Sequence, residues 1–232
     1  MVHLPFADRV EAGRLLAREL ACRPIAALHQ GDAVVLALTR GGVPVGFAVA
    51  DRLCLPLDII VVRKLGVPWQ PELAMGAIAS GTRVLDENLI RQLEISAEDL
   101  DETIASEQAG MQRREEVYRG GTPALNLYGR PAILIDDGLA TGNTMLAAVR
   151  HVRTLKPSSV IIGVPVGPRE ACDRLRCEVD DVVCLATPHL FCAVGEWYRD
   201  FAQVSDDQVR KLLAQRRHRH LPELRAASPL PA

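Results

Sequence analysis

Five short apolar runs, separated by stretches with helical periodicity, are the feature that most constrains the fold of this chain. They cover residues 33–39, 57–62, 132–135, 160–166 and 181–188. Each run is almost continuously apolar and too short for a buried helix, which is typical of strands covered on both faces. Strands that alternate with helices in this way predict an α/β fold, in which helices flank both faces of a parallel sheet.

The chain length and charge restrict the class of protein further. The chain has 232 residues, enough for one α/β domain with additional segments, and its 27 Lys and Arg against 29 Asp and Glu give a formal charge of −2. This balance argues against a nucleic-acid-binding protein that relies on bulk electrostatics. No apolar run is long enough for a transmembrane helix, and the first residues lack the pattern of an export signal. We therefore expect a cytoplasmic protein without nucleic-acid or membrane partners.

The segments around the strands predict the organisation of the chain. An amphipathic helix is predicted over residues 8–20, and the glycines and prolines between residues 64 and 86 predict a flexible loop that contains a hairpin of 73–79 and 82–86. Residues 96–118 begin with a capping-box arrangement and predict a long, mostly exposed helix. We expect an α/β domain over 1–190, followed by a helical extension and tail over 191–232.

Polar and glycine-rich sequences follow three of the predicted strands. They are Thr39-Arg40-Gly41-Gly42, then Arg63-Lys64, and then residues 136–144 with the sequence DDGLATGNT. Ligands of open parallel sheets bind at the carboxyl ends of the strands. We therefore expect all three sequences to open on the same edge of the sheet.

Residues 138–144 have the character of a phosphate-binding loop. The loop leads into a predicted helix, whose first N–H groups are unpaired and carry the positive end of the helix dipole. The hydroxyl groups of Thr141 and Thr144 can add donors. The loop is not a Walker P-loop, because Asn143 stands where that motif requires a lysine, and the chain has no Rossmann GxGxxG sequence.

Asp136 and Asp137 are adjacent carboxylates at the start of this loop. Two like charges side by side destabilise a fold unless a positive or hydroxyl-rich group meets them. A phosphorylated sugar beside a divalent metal would satisfy them, since sugar hydroxyls donate to carboxylates and Mg²⁺ prefers oxygen ligands. A phosphate next to a pair of hydroxyls describes ribose 5-phosphate.

The segment 133–144, ILIDDGLATGNT, resembles the phosphoribosyl pyrophosphate signature of the type I phosphoribosyltransferases. The resemblance covers roughly residues 30–190 and implies the fold of that family, with a variable hood for the acceptor base. It implies that Asp136 and Asp137 bind the ribose hydroxyls and Mg²⁺. It implies that the 5-phosphate is bound by Gly138, Leu139, Ala140, Thr141, Gly142, Asn143 and Thr144.

Two further segments agree with the family. Residues 39–42 resemble its pyrophosphate loop, often built around a non-proline cis peptide, here expected between Thr39 and Arg40. Residues 63–66, RKLG, resemble the start of its flexible active-site loop in the purine members, so Arg63 and Lys64 would face the pyrophosphate. Hypoxanthine-guanine enzymes have an acidic residue where this chain has Ala140, which makes the loop closer to the adenine type. The acceptor is not readable from these residues.

The resemblance implies a magnesium-dependent pentosyltransferase of nucleotide metabolism, with phosphoribosyl pyrophosphate and a small nitrogenous acceptor, such as a purine base, as its partners. Arg40, Lys64 and Asp137 are then the expected catalytic residues. Two alternatives stay open: a non-catalytic module that senses phosphoribosyl pyrophosphate or a nucleotide, and an enzyme for another phosphorylated sugar. A homo-oligomer also stays open. The aromatic residues between Phe191 and Tyr198 could cover a base or pack in the core.

Overall fold

The computed structural model describes residues 3–23, 32–80 and 82–226. The strands within these ranges are β1 (Val34–Leu38), β2 (Leu57–Ile60), β3 (Val62–Val67), β4 (Gln70–Ala79), β5 (Thr82–Leu85), β6 (Pro131–Ile135), β7 (Ser159–Val166) and β8 (Asp181–Ala186). Five of them form a parallel sheet in the order β2-β1-β6-β7-β8. The other three form an antiparallel sheet in the order β3-β4-β5.

The helices of the described residues follow the predicted alternation. They are α1 (Arg9–Ala21), α2 (Gly42–Leu53), α3 (Glu87–Gln92), α4 (Ala97–Arg119), α5 (Asn143–Thr154), α6 (Arg169–Arg176) and α7 (Asp206–Ala226), with a 3₁₀ turn at Val194–Trp197. The helix predicted over 8–20 is α1. None of these helices combines the length and the apolar character that crossing a membrane requires.

The parallel sheet is buried on both faces, as predicted. Along β1, Val35 and Ala37 lie in one apolar cluster, with side chains of α1, α2, α4 and α7. Val34, Leu36 and Leu38 point to the opposite face and pack with α5 and α6. The alternation follows from the two-residue period of a strand. It explains why the strand sequences are continuously apolar, and it confirms the predicted fold class.

The observed secondary structure differs most from the prediction over residues 64–86, where a loop containing a hairpin was expected. The predicted strand 57–62 divides at Val61 into β2 and β3, and β3 pairs with β4, which forms the predicted hairpin with β5. Leu65 and Met75 are fully buried against the main core. Tertiary packing therefore orders a segment whose glycines and prolines are typical of loops, and the register shifts on either side of Gly66 accommodate them.

Both long helices after this sheet contribute to the core. Ser96 caps α4 by accepting a hydrogen bond from the Asp99 amide, as the capping box predicts. Although α4 is rich in charge, Ile104, Met111 and Tyr118 are buried on one side of it. The C-terminal helix α7 buries Val209 and Leu213 in the same cluster, so it covers one face of the main sheet. Only residues up to 226 of the predicted extension and tail are described.

Candidate active site

The chain reverses direction across the sheet between β1 and β6. The chain continues from β1 to the edge strand β2 on one side, whereas β6 is followed by β7 and β8 on the other. Such a switch point leaves a crevice at the carboxyl ends of the two strands, where α/β proteins bind ligands. Residues 39–42 follow β1 and residues 136–144 follow β6. The fold therefore brings these two predicted sequences together.

The loop after β1 lies close against the loop after β6 at two glycines, Gly41 and Gly42. The Thr39–Arg40 peptide bond is cis, as the family resemblance implied. A Cβ atom on Gly41 would lie 2.1 Å from Oδ2 of Asp137, and one on Gly42 would lie 2.6 Å from the carbonyl oxygen of Ile135. Any side chain at either position would displace the β6 loop. Glycine is required here by close approach of the backbone.

The acidic pair lies half-buried at the floor of the crevice. The Asp137 amide donates to Oδ1 of Asp136 at 2.9 Å. Oδ2 of Asp137 accepts from Nε of Arg9 at 2.8 Å, and the Arg9 and Asp137 side chains are only 10% and 14% exposed. The positive group that the adjacent carboxylates require is therefore supplied, for one of them, by the protein itself.

Burial dominates the ionisation of both carboxylates. Burial, reinforced by the charge of Asp137, raises the pKa of Asp136 well above its ordinary value. Burial also raises the pKa of Asp137, while the Arg9 guanidinium acts in the opposite direction. Of these two carboxyl groups, Asp136 is thus the one with less stabilisation from a positive group. A bound cation or a set of hydroxyl donors would stabilise its ionised form.

Arg9 was not predicted as a site residue. Besides the ion pair with Asp137, two further contacts fix its side chain. Its Nη1 donates to the carbonyl oxygen of Ala202 at 2.8 Å, and its guanidinium carbon lies 3.8 Å from the ring centroid of Phe201. The only sequence signal is that Arg9 opens α1. A cation at that end of a helix is unfavourable without a partner.

Tyr198 holds the backbone of Asp137 in place. Its hydroxyl donates to the carbonyl oxygen of Asp137 at 2.5 Å. The Tyr198 ring is buried, and its centroid lies 5.4 Å from that of Phe6 and 5.1 Å from that of Phe201. Phe191 stacks on Trp197, with centroids 6.3 Å apart and the rings 14° from parallel. Of the aromatic segment, Tyr198 is therefore in the core, whereas Phe191 is only half-buried.

A cavity of about 360 Å³ opens above Asp137. Its wall combines groups from the start of α1, from the loop after β1 and from the segment before α7. The lining residues are Arg9, Arg40, Gly41, Asp137, Phe201, Gln203 and Val204. Two cations and one carboxylate around one space suit a ligand that carries both anionic groups and hydroxyls.

The predicted phosphate loop consists of an anchored half and an exposed half. Leu139 is buried and its amide donates to the Val166 carbonyl oxygen at 2.8 Å, and a Cβ atom on Gly138 would lie 2.5 Å from Val194. Ala140, Thr141 and Thr144 are exposed. The exposed half, together with the first amides of α5, is therefore the part that can contact a phosphate.

Gly142 and Arg174 shape the exposed half of the loop. Gly142 precedes α5 with a φ of 78° and gives the helix no side-chain cap. This left-handed conformation favours glycine. Arg174 on α6, which was not predicted, donates to the Thr141 carbonyl oxygen and to Oδ1 of Asn143, the latter at 3.0 Å. Its charge lies beside the loop and would favour an anion there.

The three predicted basic residues are in different surroundings. Nη1 of Arg40 lies 3.5 Å from Oδ1 of Asp206, which also accepts from the Tyr118 hydroxyl at 2.7 Å. Arg63 on β3 donates from Nε to Oε2 of Glu107 at 2.6 Å. Lys64 is exposed on the same strand. The cavity wall, as far as the described residues define it, includes Arg40 but neither Arg63 nor Lys64.

The donor set of the acidic pair fits a magnesium ion shared with a substrate. No group of three or more His, Cys, Asp or Glu residues among the described parts of the chain could hold a metal on its own. Mg²⁺ is commonly bound through one or two carboxylates, with substrate phosphates and water as the other ligands. Asp136 and Asp137 supply the two carboxylates of this arrangement, and the bonds to the Asp137 amide and to Arg9 engage one oxygen of each.

Comparison with known proteins agrees with this geometry. The model of the phosphoribosyl transferase domain family matches residues 9–198. Two proteins from strains of Mycobacterium tuberculosis, each named provisionally as a phosphoribosyl transferase, are 47% identical over 219 residues. The match covers 94% of this chain and 48% of each relative, so the chain spans about half their length. The crystal structure of TT1426 from Thermus thermophilus has a TM-score of 0.76 and 39% identity, covering 91% of this chain and 99% of that chain.

Proposed function

Because the chain belongs to the phosphoribosyl transferase family, we propose that it transfers the 5-phosphoribosyl group from phosphoribosyl pyrophosphate to a nitrogenous acceptor and releases pyrophosphate. The observation that carries this proposal is the contact of the two loops at the switch point, where Gly41 meets Asp137. A pyrophosphate loop, a hydroxyl-binding acidic pair and a phosphate loop then surround one donor molecule.

Each part of the donor has a counterpart in this arrangement. The exposed half of the phosphate loop, with the first amides of α5 and the nearby Arg174, receives the 5-phosphate. The remaining oxygens of Asp136 and Asp137 accept the ribose hydroxyls. Arg40 and the amides of residues 41 and 42 face the diphosphate, and Arg40 exchanges its contact with Asp206 for the ligand.

The reaction breaks the bond between the anomeric carbon and the diphosphate oxygen, and the acceptor nitrogen forms the new bond. Such a displacement has an oxocarbenium-like transition state, so the protein contributes positioning and electrostatic stabilisation. Mg²⁺, held by Asp136 and Asp137, would neutralise part of the diphosphate charge. Phe201 and Val204 give the cavity wall an apolar part beside its charged groups. Arg40, which lines the cavity, is the predicted cation for the leaving group, whereas Lys64 is not among the lining residues.

The acceptor is a nitrogenous base or a small amine, with a purine as the first candidate. The exposed Ala140 leaves the phosphate loop without the acidic side chain that hypoxanthine-guanine enzymes use. Phe191 stacks on Trp197 and is half-buried, so its ring can contact a planar base. A module that senses the donor without transferring it would use the same loops and acidic pair. Only an assay of product formation distinguishes it from transfer.

The decisive experiment measures donor binding and catalysis in a matched pair of variants. Gly142→Val places a β-branched side chain at a φ of 78° in the phosphate loop, and Gly129→Val does the same at a φ of 70° in a turn without neighbours within 4 Å. Both variants should lose stability through backbone strain, and Gly142→Val should lose more, because a Cβ atom there would also lie 3.2 Å from Nη2 of Arg174. Calorimetry with phosphoribosyl pyrophosphate and Mg²⁺ should show an affinity loss of about tenfold to a hundredfold for Gly142→Val alone.

A panel of purines, pyrimidines and amines, with pyrophosphate release as the readout, then separates the two candidates. Release with at least one acceptor supports transfer. Tight donor binding without release across the panel supports the sensing module. Equal donor affinity in the wild type and Gly142→Val would contradict the assignment of the phosphate loop, and with it both candidates.

A further inference from the structure

A second cavity, larger than the first, lies at the opposite edge of the main sheet. It has a volume of about 580 Å³ and is lined by Leu57 and Asp58, the first two residues of β2. The candidate active site lies at the carboxyl ends of the parallel strands, so this cavity at their amino ends is separate from it. Its other walls come from the end of α4, from the chain that follows and from α7.

The charged groups of this cavity are predominantly cationic. Four arginines line it, and Asp58 is its only acidic residue among the described lining. Asp58 is buried and already satisfied: it accepts from Nε of Arg119 at 3.2 Å and from the amides of Ile59 and Leu125 at 2.8 and 2.9 Å. It therefore neutralises Arg119, and Arg210 is paired with Asp207, so the cationic groups that remain for a ligand are Arg216 and Arg217.

Arg216 is the residue that most requires an anion. It is 3% exposed, and its Nε donates to the Leu55 carbonyl oxygen at 2.8 Å. Its Nη2 is buried and has no hydrogen-bond partner among the described residues. Burying a charged group without a partner is costly, so a cavity wall with such a group favours a ligand that carries the opposite charge.

Arg217 extends the cationic wall next to Arg216. Its Nη1 donates to the carbonyl oxygen of Arg119 and to Oγ1 of Thr122, both at 2.9 Å. These bonds use one nitrogen of the guanidinium and orient the group. A planar guanidinium fixed in this way is well suited to a carboxylate or a phosphate, because it presents further donors in a rigid fork.

The remaining walls are apolar. Aliphatic side chains and prolines line the cavity together with the arginines, and one of them, Val117, is 50% exposed. The apolar lining residues are Pro56, Leu57, Val117, Pro123, Leu125 and Ala214. A ligand with an apolar body would be desolvated by these walls, while its anionic group would meet the arginines.

We propose that this cavity is a second binding site for a small organic anion, whose apolar or aromatic body carries one carboxylate or phosphate group. The anionic group pairs with Arg216 and Arg217, and the body fills the space between α4 and α7. The site does not depend on the proposed transferase activity, because it shares no lining residue with the first cavity.

The test uses the fluorescence of anilinonaphthalene sulfonate, an aromatic anion, titrated with the full chain. We expect saturable binding to one site. Ala214→Phe should fill the cavity and Arg217→Gln should remove a charge, each lowering the affinity by about tenfold or more. Both lie on α7, and neither change removes a buried side chain or a core contact. Gln112→Phe, at an exposed position of α4 outside the cavity, should leave the affinity unchanged.

Competition identifies the anionic group. Displacement of the probe by AMP would assign a phosphate, and displacement by naphthoate would assign a carboxylate. Failure of both, or unchanged binding in Ala214→Phe and Arg217→Gln, would overturn the proposal. Displacement by phosphoribosyl pyrophosphate with Mg²⁺ would place the probe at the candidate active site and overturn it as well.

Discussion

Asp137 and Arg9 are 128 positions apart in the chain and are joined by a 2.8 Å ion pair. The two adjacent carboxylates therefore differ in the groups that they contact. Asp137 has a guanidinium partner within the protein, whereas Asp136 has only the neighbouring amide as a hydrogen-bond donor among the described contacts. The two residues should respond differently to neutralisation.

The first prediction compares Asp137→Asn with Asp136→Asn in the ligand-free protein. Asp137→Asn leaves the Arg9 charge 10% exposed without its counter-ion, so we expect a loss of about 2 kcal/mol in the free energy of unfolding. Asp136→Asn replaces a carboxyl group whose ionised form has no counter-ion of its own, so it should leave the stability unchanged or slightly higher. Urea denaturation of both variants measures the difference. Equal losses would show that Arg9 does not distinguish the two carboxylates.

The second prediction concerns the pH dependence contributed by Asp136. Its pKa is raised in the folded protein, so the folded state keeps a proton that the unfolded chain releases. The stability contributed by this group is present below the ordinary pKa of an aspartate and is lost as the pH rises toward the raised value. The free energy of unfolding of the wild type, minus that of Asp136→Asn, should therefore fall as the pH rises through this window.

Bound Mg²⁺ and donor should reverse this trend, because they favour the ionised carboxylate. The ligand-induced rise in melting temperature of the wild type should increase with pH over the same window, and Asp136→Asn should lose this dependence. A ligand-induced shift that is independent of pH in the wild type would contradict the placement of Asp136 at the ligand.

At the scale of elements, close packing of α1 against α2 places Arg9 at the site. A Cβ atom on Gly13 would lie 2.6 Å from the Val45 carbonyl oxygen and 2.8 Å from the Ala48 Cβ. The two helices can therefore approach this closely only with glycine at position 13. The separation of these helices sets the distance between the start of α1 and the loop after β1.

The third prediction uses two glycines within helices as a matched pair. Alanine favours a helix over glycine by about 1 kcal/mol. Gly110→Ala in α4 should show this gain, since its Cβ would meet only the Arg113 Nη2 atom at 4.0 Å. Gly13→Ala should instead destabilise the protein by about 1–3 kcal/mol, because the helices must separate. Thermal unfolding of both variants gives the comparison, and a gain for Gly13→Ala would show that α1 can shift without cost.

At the scale of the whole molecule, the segment before α1 and the segment before α7 meet beside the candidate site. Phe6 forms a β-bridge with Tyr198, and the two rings pack beside the Asp137 backbone. Tyr118, which lines the second cavity, donates to Asp206, the partner of Arg40, although the two cavities share no lining residue. The site therefore depends on contacts between segments far apart in sequence.

The fourth prediction tests these contacts with Tyr198→Phe. The variant keeps the ring contacts and loses the hydrogen bond to the Asp137 carbonyl oxygen, so we expect a loss of about 1 kcal/mol in stability. Donor affinity should fall as well, since the Asp137 backbone becomes less constrained. Tyr128→Phe, at a position 70% exposed, is the control and should change neither quantity. Unchanged donor affinity in Tyr198→Phe would separate the hydroxyl from the site.

The sequence by itself determined the five parallel strands, the helices between them and the loops at residues 39–42 and 136–144. These features follow from local rules: the period of buried apolar residues, the capping preference at Ser96 and the turn chemistry of glycine. The acidic pair was also recognisable, because adjacent carboxylates before a glycine-rich loop are unusual in structural sequence.

Only the tertiary structure decided which groups meet these loops. The ion pair of Arg9 with Asp137, the Tyr198 hydrogen bond, the approach of Arg174 to residue 141 and the pairing of Arg40 with Asp206 join distant segments. Likewise, β3 became a strand through its pairing with β4 and the burial of Leu65, although its sequence is typical of a loop. Contacts of this kind depend on how helices and strands pack in three dimensions, which no short pattern of residues encodes.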